Sequence, residues 1–152
     1  LDDKNVYLWT SGTGLFLALD KKTGLEKYHA DTRLWTYATP LLVQNRYAFV
    51  ATMAGELYGF DKNTGKKIWY YQTPEGRADI NDIVDGKTGK LRNEKLFAPE
   101  MQVQAGVELV KSLGAFIASP IWADNKLIAV TATGEILVFE DWLKRFIHSI
   151  NF

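Results

Sequence analysis

Short runs of apolar residues divided by polar turns dominate the chain. Four such runs, rich in aliphatic and aromatic residues, follow one another closely, at residues 40–43, 47–52, 56–60 and 66–72. Runs of about 4–7 residues with this composition, bounded by Asn, Asp and Gly, are typical of antiparallel strands joined by tight turns. We therefore predict a four-stranded sheet in this part of the chain.

The same pattern recurs about every 40 residues. Gly14 and Gly55 are 41 positions apart, and Asp20 and Asp61 have the same offset. A third copy surrounds Gly134, which lies 79 positions after Gly55. Four short strands in roughly 40 residues is the signature of one blade of a β-propeller. The repeat therefore predicts an all-β fold built from four-stranded antiparallel blades.

About three and a half units are visible, and they are uneven. The first, at about residues 5–29, begins at its second strand, whereas the second, at 37–72, is complete. The last, at 115–140, has three strands. Between them, residues 75–113 are irregular: apolar positions there fit a strand or a helix almost equally well, so this is an elaborated blade or an insertion.

A partial propeller over residues 1–140 is thus followed by a tail at 141–152 of different character. Its apolar residues fall on one helical face, at Trp142, Leu143, Phe146, Ile147 and Ile150. We predict a short C-terminal helix that covers the end of the sheet or docks on a partner.

Composition excludes several classes of protein. The 18 basic and 18 acidic side chains cancel, and no basic stripe predicts nucleic-acid binding. The absence of cysteine excludes a disulfide scaffold and a thiol nucleophile. With two histidines, His29 and His148, a multi-His zinc site is disfavoured, and we assign no metal ligand. No stretch has the roughly 20 apolar residues of a membrane span.

The beginning of the chain also bears on its origin. Its first residues do not resemble a signal peptide, and there is no initiator Met. We therefore expect a processed form or a fragment.

One turn and the strand after it carry a specific motif. Residues 59–69 read Gly-Phe-Asp-Lys-Asn-Thr-Gly-Lys-Lys-Ile-Trp. This resembles the tryptophan-docking motif of the PQQ-like β-propeller repeat family, which includes quinoprotein alcohol dehydrogenases and an outer-membrane assembly lipoprotein. The family pattern is Ala-x-Asp-x-x-Thr-Gly-Lys-x-x-Trp, and the residues at its fixed positions are Gly59, Asp61, Thr64, Gly65, Lys66 and Trp69.

An earlier copy of the motif is less complete. It keeps Ala18, Asp20, Thr23 and Gly24 but has Leu25 in place of Lys and Tyr28 in place of Trp. An Asp–Thr–Gly turn fixes where the next strand starts, and a Trp between two sheets buries about 150–250 Å². We therefore interpret both copies as structural docking motifs.

The resemblance implies two possible functions. The first is a non-catalytic scaffold that mediates protein–protein interaction or assembly, with no cofactor and no catalytic residue. Strand addition at an open sheet edge is one plausible mode of binding. The alternative is a segment of a PQQ-dependent quinoprotein dehydrogenase, which by resemblance requires PQQ, calcium, an Asp base and often a Cys–Cys pair. Since the chain has no cysteine, we favour the scaffold.

Two further segments carry weaker signals. Residues 79–86 have acidic residues and a Gly, as in a calcium loop, but Ile83 stands where a third ligand is needed, so a polar loop is the better interpretation. Trp35 and Tyr37 fit a carbohydrate or peptide groove, but packing between blades is the more common use of such residues.

The expected partners follow from the incomplete ring. A closed propeller has about four to eight blades, so we expect a protein partner, the remaining blades of a larger propeller, or a homodimer. We expect no nucleic acid and no membrane span. The resemblance implies an extracytoplasmic location, in the periplasm or at the cell surface.

Overall fold

The fold was analysed in a computed structural model, which describes residues 1–10, 13–32, 36, 38–77, 111 and 113–140. Within these residues, ten β-strands form three antiparallel sheets. The all-β prediction is therefore confirmed. The predicted C-terminal helix, the residues Trp35 and Tyr37 that we interpret as packing between blades, and most of the irregular segment at 75–113 lie outside the described residues.

Each sheet is a meander whose strands follow chain order. The first sheet contains β1 (Asn5–Thr10), β2 (Leu15–Asp20) and β3 (Glu26–Asp31). The second contains β4 (Leu41–Val43), β5 (Tyr47–Ala51), β6 (Glu56–Asp61) and β7 (Lys67–Gln72), and a 3-10 turn follows at Glu75–Arg77. The third contains β8 (Ile121–Ala123), β9 (Lys126–Val130) and β10 (Ile136–Phe139).

The three sheets are versions of one four-stranded unit. Among the described residues, the first sheet lacks the first strand of the unit and the third sheet lacks the last. The turn glycines Gly14, Gly55 and Gly134 precede β2, β6 and β10 and all have positive φ. By this alignment, the first sheet corresponds to β5–β7 and the third to β4–β6 of the second. In both β2–β3 and β6–β7 the register shifts at the same point of the repeat, after Ala18 and after Gly59.

Tight hairpin turns connect the first two strands of the second and third sheets. Gln44 and Asn45 in one turn, and Asp124 and Asn125 in the other, all have positive φ. Two consecutive residues of this kind are typical of the turn whose twist matches that of paired strands. The two turns are 80 positions apart, so this chemistry also belongs to the repeat.

The second sheet lies between the other two. Successive side chains along its strands point to opposite faces, so each face packs against a different neighbouring sheet. On one face, a core cluster combines residues of the first and second sheets: Tyr7, Phe16, Ala18, Ala48, Val50, Tyr58 and Phe60. On the other face, two clusters combine the second and third sheets through Ala51, Leu57, Phe49, Phe116, Ala129 and Leu127. Because both faces are covered, every residue of β5 is buried.

Candidate functional site

The first Asp–Thr–Gly turn is organised by the carboxylate of Asp20. Its Oδ1 accepts hydrogen bonds from the amides of Lys22 and Thr23, at 2.9 and 3.0 Å, and from the Thr23 hydroxyl at 3.2 Å. Gly24, with φ +72°, donates its amide to the Asp20 carbonyl at 2.8 Å. Hydrogen bonds from the Thr23 and Lys22 amides, and then from Lys27, lower the pKa of Asp20 to about 2.

The second turn repeats this geometry with fewer side-chain bonds. Asp61 Oδ1 accepts the amide of Asn63 at 2.9 Å, and Gly65, with φ +73°, donates its amide to the Asp61 carbonyl at 2.8 Å. The Lys66 amide donates to Thr64 Oγ1 at 3.3 Å. The Lys66 side chain is exposed. The two turns are thus held mainly by contacts within themselves.

Tyr28 connects the first motif to the turn of the second. Its ring lies against Gly65 so closely that a Cβ atom on that glycine would overlap the ring. Its hydroxyl donates a hydrogen bond to the Lys62 carbonyl. Burial raises the pKa of Tyr28, so the hydroxyl keeps its proton over a wider pH range. The structure therefore brings the two motifs together through the residue that replaces Trp in the first copy.

A charged pair lies beside this contact, and we call Asp2, Tyr7, Tyr28 and Lys62 the polar latch. The Lys62 ammonium forms an ion pair with Asp2 Oδ2 and lies 5.4 Å from the centre of the Tyr7 ring. The Tyr7 hydroxyl donates to the same Asp2 oxygen at 2.9 Å. The side chain of Lys62 is 3% exposed and that of Asp2 is 20% exposed, so the ammonium is shielded from water while the carboxylate stays partly accessible.

The surroundings of Asp2 decide its charge state. Burial on its own raises the pKa of this carboxyl, but hydrogen bonds from Lys62, from the amides of Lys4 and Asn5, and from Tyr7 together lower it well below its usual range. For Lys62, burial opposes the charge, yet the bond to Asp2 and the nearby Tyr7 raise its pKa. Both groups are therefore charged at neutral pH, and sequence reasoning missed this pair.

A small polar pocket opens over the latch. Its volume is about 170 Å³, and its lining includes Asn5, Asn45 and Asn63. Cofactor-sized ligands usually occupy pockets of about 300–1,000 Å³, so this one is too small for a quinone cofactor.

Trp69 makes a wholly different contact, between the second and third sheets. Its ring packs edge-on against Phe139 with centroids 5.0 Å apart and against Phe49 at 6.1 Å. Gly59, which stands opposite Phe49 in the register, leaves little room: a Cβ atom there would lie 3.0 Å from both Phe49 Cε1 and Trp69 Cβ. In the first copy the corresponding Ala18 is fully buried.

A threonine recurs at the start of the turns that lead into β2, β6 and β10, and sequence reasoning missed it. Its hydroxyl closes each of these turns. The amides of Leu15, Glu56 and Glu135 donate to the hydroxyls of Thr10, Thr52 and Thr131, respectively, at 3.0–3.2 Å. The strand after the docking turn then returns its amide to the turn glycine, from Thr32 to Gly14 and from Thr73 to Gly55. For the contacts of Thr32 and Thr73, the signal in the sequence was their spacing of 41 positions, which equals the repeat offset.

Two apolar sheet faces remain at the ends of the described structure. We call the outer face of the third sheet the trailing face; the register places five aliphatic residues on it, Ile121, Ile128, Val130, Ile136 and Val138. Ile136 is 66% exposed and Ile121 is 57% exposed. We call the outer face of the first sheet the leading face; it carries Val6, Leu8, Leu15, Leu17 and Leu19 on β1 and β2, and the register places His29 and Asp31 of β3 at its edge, beside Leu17 and Leu15.

Neither face has a charged side chain at its centre. The trailing face has the Lys126–Glu140 ion pair at its border, with a 2.6 Å contact, and His29 of the first sheet is paired with Glu26 at 2.7 Å. The hydrogen bond to the Glu26 carboxylate raises the pKa of His29. Exposed aliphatic surface with a polar border is typical of a protein-binding surface.

Metal and membrane sites were sought in the same described residues. In the described ranges, no three His, Cys, Asp or Glu side chains form a group that would hold a metal ion. Nor does any α-helix there combine the length and apolar character that a bilayer crossing requires.

Comparison with known proteins identifies the type of repeat. A family model described as the outer membrane protein assembly factor BamB matches residues 1–88, more than half of the chain. Comparison with curated proteins by sequence gave no significant match.

Solved structures give the same fold. BamB from Moraxella catarrhalis aligns over 92% of this chain and 31% of its own, with a TM-score of 0.59 and 16% identity. A europium-containing methanol dehydrogenase aligns over 93% and 22%, with a TM-score of 0.60 and 12% identity. Quinohemoprotein alcohol dehydrogenase from Comamonas testosteroni aligns over 86% and 20%, with a TM-score of 0.53 and 16% identity.

These matches confirm the predicted PQQ-like β-propeller repeat. The chain spans less than a third of each of these solved structures. At such identities the likeness concerns the fold alone.

Proposed function

Because the chain belongs to the PQQ-like β-propeller family of the outer membrane protein assembly factor BamB, we propose that it is a non-catalytic scaffold that mediates protein–protein interaction or assembly. Its partners are a protein or the remaining blades of a larger propeller. The family also supports an extracytoplasmic location. The docking motifs serve this function indirectly, by holding neighbouring blades together.

The trailing face is the observation that carries this proposal. Three of its aliphatic residues, Ile121, Ile136 and Val138, are 57%, 66% and 49% exposed, and Ile128 and Val130 of the central strand join them into one patch. Scattered apolar residues are normal on a protein surface, but a contiguous patch of them marks a binding surface. Such a face would bind a partner through shape complementarity and apolar contact rather than take part in a chemical reaction.

The polar groups of the described residues support the same proposal. The carboxylates of Asp20, Asp61 and Asp2 are engaged by turn amides or by the polar latch. A catalytic carboxylate needs access to a substrate proton, whereas these three hold the backbone or the neighbouring sheet in place.

A cofactor titration distinguishes the scaffold from the alternative, which is a segment of a PQQ-dependent dehydrogenase. PQQ and calcium are added to saturation while the melting temperature of the 152-residue chain is followed. A ligand that binds the folded state raises this temperature. We expect no shift, and a shift that requires both PQQ and calcium would replace the scaffold by the dehydrogenase.

Protein binding is tested directly with an outer membrane protein kept unfolded in solution, since assembly of such proteins is what the family name describes. We expect the labelled probe to bind the wild type and to lose affinity for the Ile136→Lys/Val138→Lys variant. The matched control is Leu25→Lys, because Leu25 is 69% exposed but lies in a turn away from the trailing face. Equal binding by all three chains would exclude the trailing face as the binding surface.

A further inference from the structure

We infer that a second copy of this chain packs head to tail on the first, with the leading face of one copy against the trailing face of the other. This inference rests on the proposed function, because it names a second copy as the occupant of the trailing face, so that a second copy and the unfolded outer membrane protein would compete for it. It follows from how the sheets within one chain already meet.

Each internal interface joins two different faces of the repeat. The second sheet meets the third through the set that contains Phe49, Ala51 and Leu57. It meets the first through the opposite set, which contains Ala48, Val50, Tyr58 and Phe60. Every sheet therefore has one face for the sheet that follows it and another for the sheet that precedes it.

The trailing face belongs to the first kind. Ile128, Val130 and Ile136 lie 79 positions after Phe49, Ala51 and Leu57, and the turn glycines Gly55 and Gly134 have the same offset. The third sheet thus exposes the positions that, in the second sheet, are buried against a following sheet.

The leading face belongs to the second kind. Leu17 and Leu19 lie 41 positions before Tyr58 and Phe60, and Leu8 lies 42 positions before Val50. The difference of one reflects the register, because Leu8 pairs with Leu17, nine positions on, whereas Val50 pairs with Tyr58, eight positions on. The first sheet thus presents the positions that, in the second sheet, are buried against a preceding sheet.

The two end faces are therefore the two halves of one repeat interface, carried by the same chain. Both are aliphatic at the centre, whereas the internal interfaces hold rings such as Phe16, Phe60 and Trp69. Contact between copies continues the interface that already joins the sheets. Because the contact joins different faces, it is heterologous, and it closes into a ring or extends as a chain of copies.

The first measurement is the mass of the wild-type chain in solution across a range of concentrations. We expect a mass above the 17.2 kDa of one chain, rising with concentration. A monomer at every concentration would overturn the inference. If that monomer still binds the unfolded outer membrane protein, the proposed function survives, whereas a melting shift with PQQ and calcium would overturn the proposed function itself.

The second measurement tests the head-to-tail arrangement with two variants. Leu8→Lys/Leu17→Lys places charge on the leading face, and Ile136→Lys/Val138→Lys places it on the trailing face. We expect each variant alone to lose association, and an equal mixture to form a one-to-one pair, since each contributes the face that the other lacks. Association that only one of the two variants abolishes would indicate contact between identical faces and would overturn the inference.

Folding of the variants is checked by circular dichroism and by a thermal melt, with Leu25→Lys as the control for an added charge elsewhere. If a double variant does not fold, Leu8→Ser and Ile136→Ser replace it, because both side chains are exposed. With these milder variants we expect weaker association for each alone and stronger association for the mixture. A mixture no stronger than its components would contradict the head-to-tail contact.

Discussion

The interface between the first and second sheets differs from the one between the second and third, although both arise from the same repeat. The first combines stacked rings with the polar latch, in which Lys62 is bonded to Asp2 and its carbonyl to Tyr28. The second has Trp69 packed against Phe139 and Phe49. Hydrogen bonds also cross it, such as the one from the Phe116 amide to the Thr52 carbonyl at 3.0 Å, but no ion pair between described residues does. The docking position of the motif is Tyr in one and Trp in the other.

This difference shows how one side chain sets the character of an interface. A Tyr ring is smaller than an indole, and its hydroxyl requires a partner when buried. In the first interface that partner is a carbonyl next to a buried ammonium, which in turn needs a carboxylate. The Trp interface needs no such chain of polar contacts, so the two should respond differently to mutation and to pH.

The largest expected effect is at the second interface. Trp69→Ala should lower the free energy of unfolding by up to about 3–5 kcal/mol, the range for buried Trp→Ala changes, since the indole is partly buried between the second and third sheets. Chemical denaturation at neutral pH measures the change. Leu25→Ala, at an exposed turn position, is the control and should change stability little. An unchanged melting temperature for Trp69→Ala would show that its ring contacts do not hold the sheets together.

The two turn glycines isolate the contribution of the Tyr28 contact. Gly24→Ala, with no atom within 4 Å of the new Cβ, should cost about 1–2 kcal/mol through the left-handed backbone alone. Gly65→Ala adds overlap with the Tyr28 ring and should cost about 1–3 kcal/mol more. Urea unfolding of both variants gives the difference. Equal costs would mean that the ring moves aside freely.

The ion pair of the latch comes next. Asp2→Asn should cost about 1.5–3 kcal/mol, because a charged hydrogen bond is lost and Lys62 stays buried. Lys62→Met in the same chain should recover part of the loss, and a double-mutant cycle measures the coupling. Asp3→Asn is the control, since this neighbouring side chain is exposed. Additive effects would show that the pair contributes no coupling energy.

The same pair has a pH signature with a definite sign. The pKa of Asp2 is lowered in the folded state, so its contribution is present above the unfolded value of about 3.9 and is lost as the pH falls through the folded value. Stability measured below about pH 4 should therefore fall more steeply for the wild type than for Asp2→Asn.

The smallest effect is expected from the Tyr28 hydroxyl. Tyr28→Phe should cost about 0.5–1.5 kcal/mol at neutral pH. Because burial raises the pKa of Tyr28, the hydroxyl contributes fully below the unfolded value of about 10 and loses its contribution as the pH rises through the folded value. The difference between wild type and variant should shrink at alkaline pH.

Much of the fold follows from local sequence. Strands such as β5 and β6 alternate in which neighbour they face, and turns such as Asp20 to Gly24 contain the residues that their backbone requires. These signals lie within a few residues of one another. The paired residues Gln44 and Asn45, and Asp124 and Asn125, carried a similar signal that only a comparison of turns across repeats would reveal.

The contacts of the latch were not predictable in this way. Asp2 and Lys62 are 60 positions apart and belong to no motif, so nothing local marks them as partners. A lysine in a turn is ordinarily exposed, and its burial depends on Tyr7 and Tyr28 arriving from another sheet. The motif predicted which residues shape the turns, but the substitution of Tyr28 for Trp gave no indication of the charges it would require.

The meander within each sheet has a consequence for how the chain folds. In the described structure, each strand pairs only with strands next to it in sequence, so the hydrogen bonds within a sheet close short loops. Burial, in contrast, requires neighbouring sheets, as in repeat proteins whose stability is a sum of unit and interface terms. Amide exchange should therefore be slowest in β5 and β6, which are covered on both faces, and become faster toward both ends of the row of sheets.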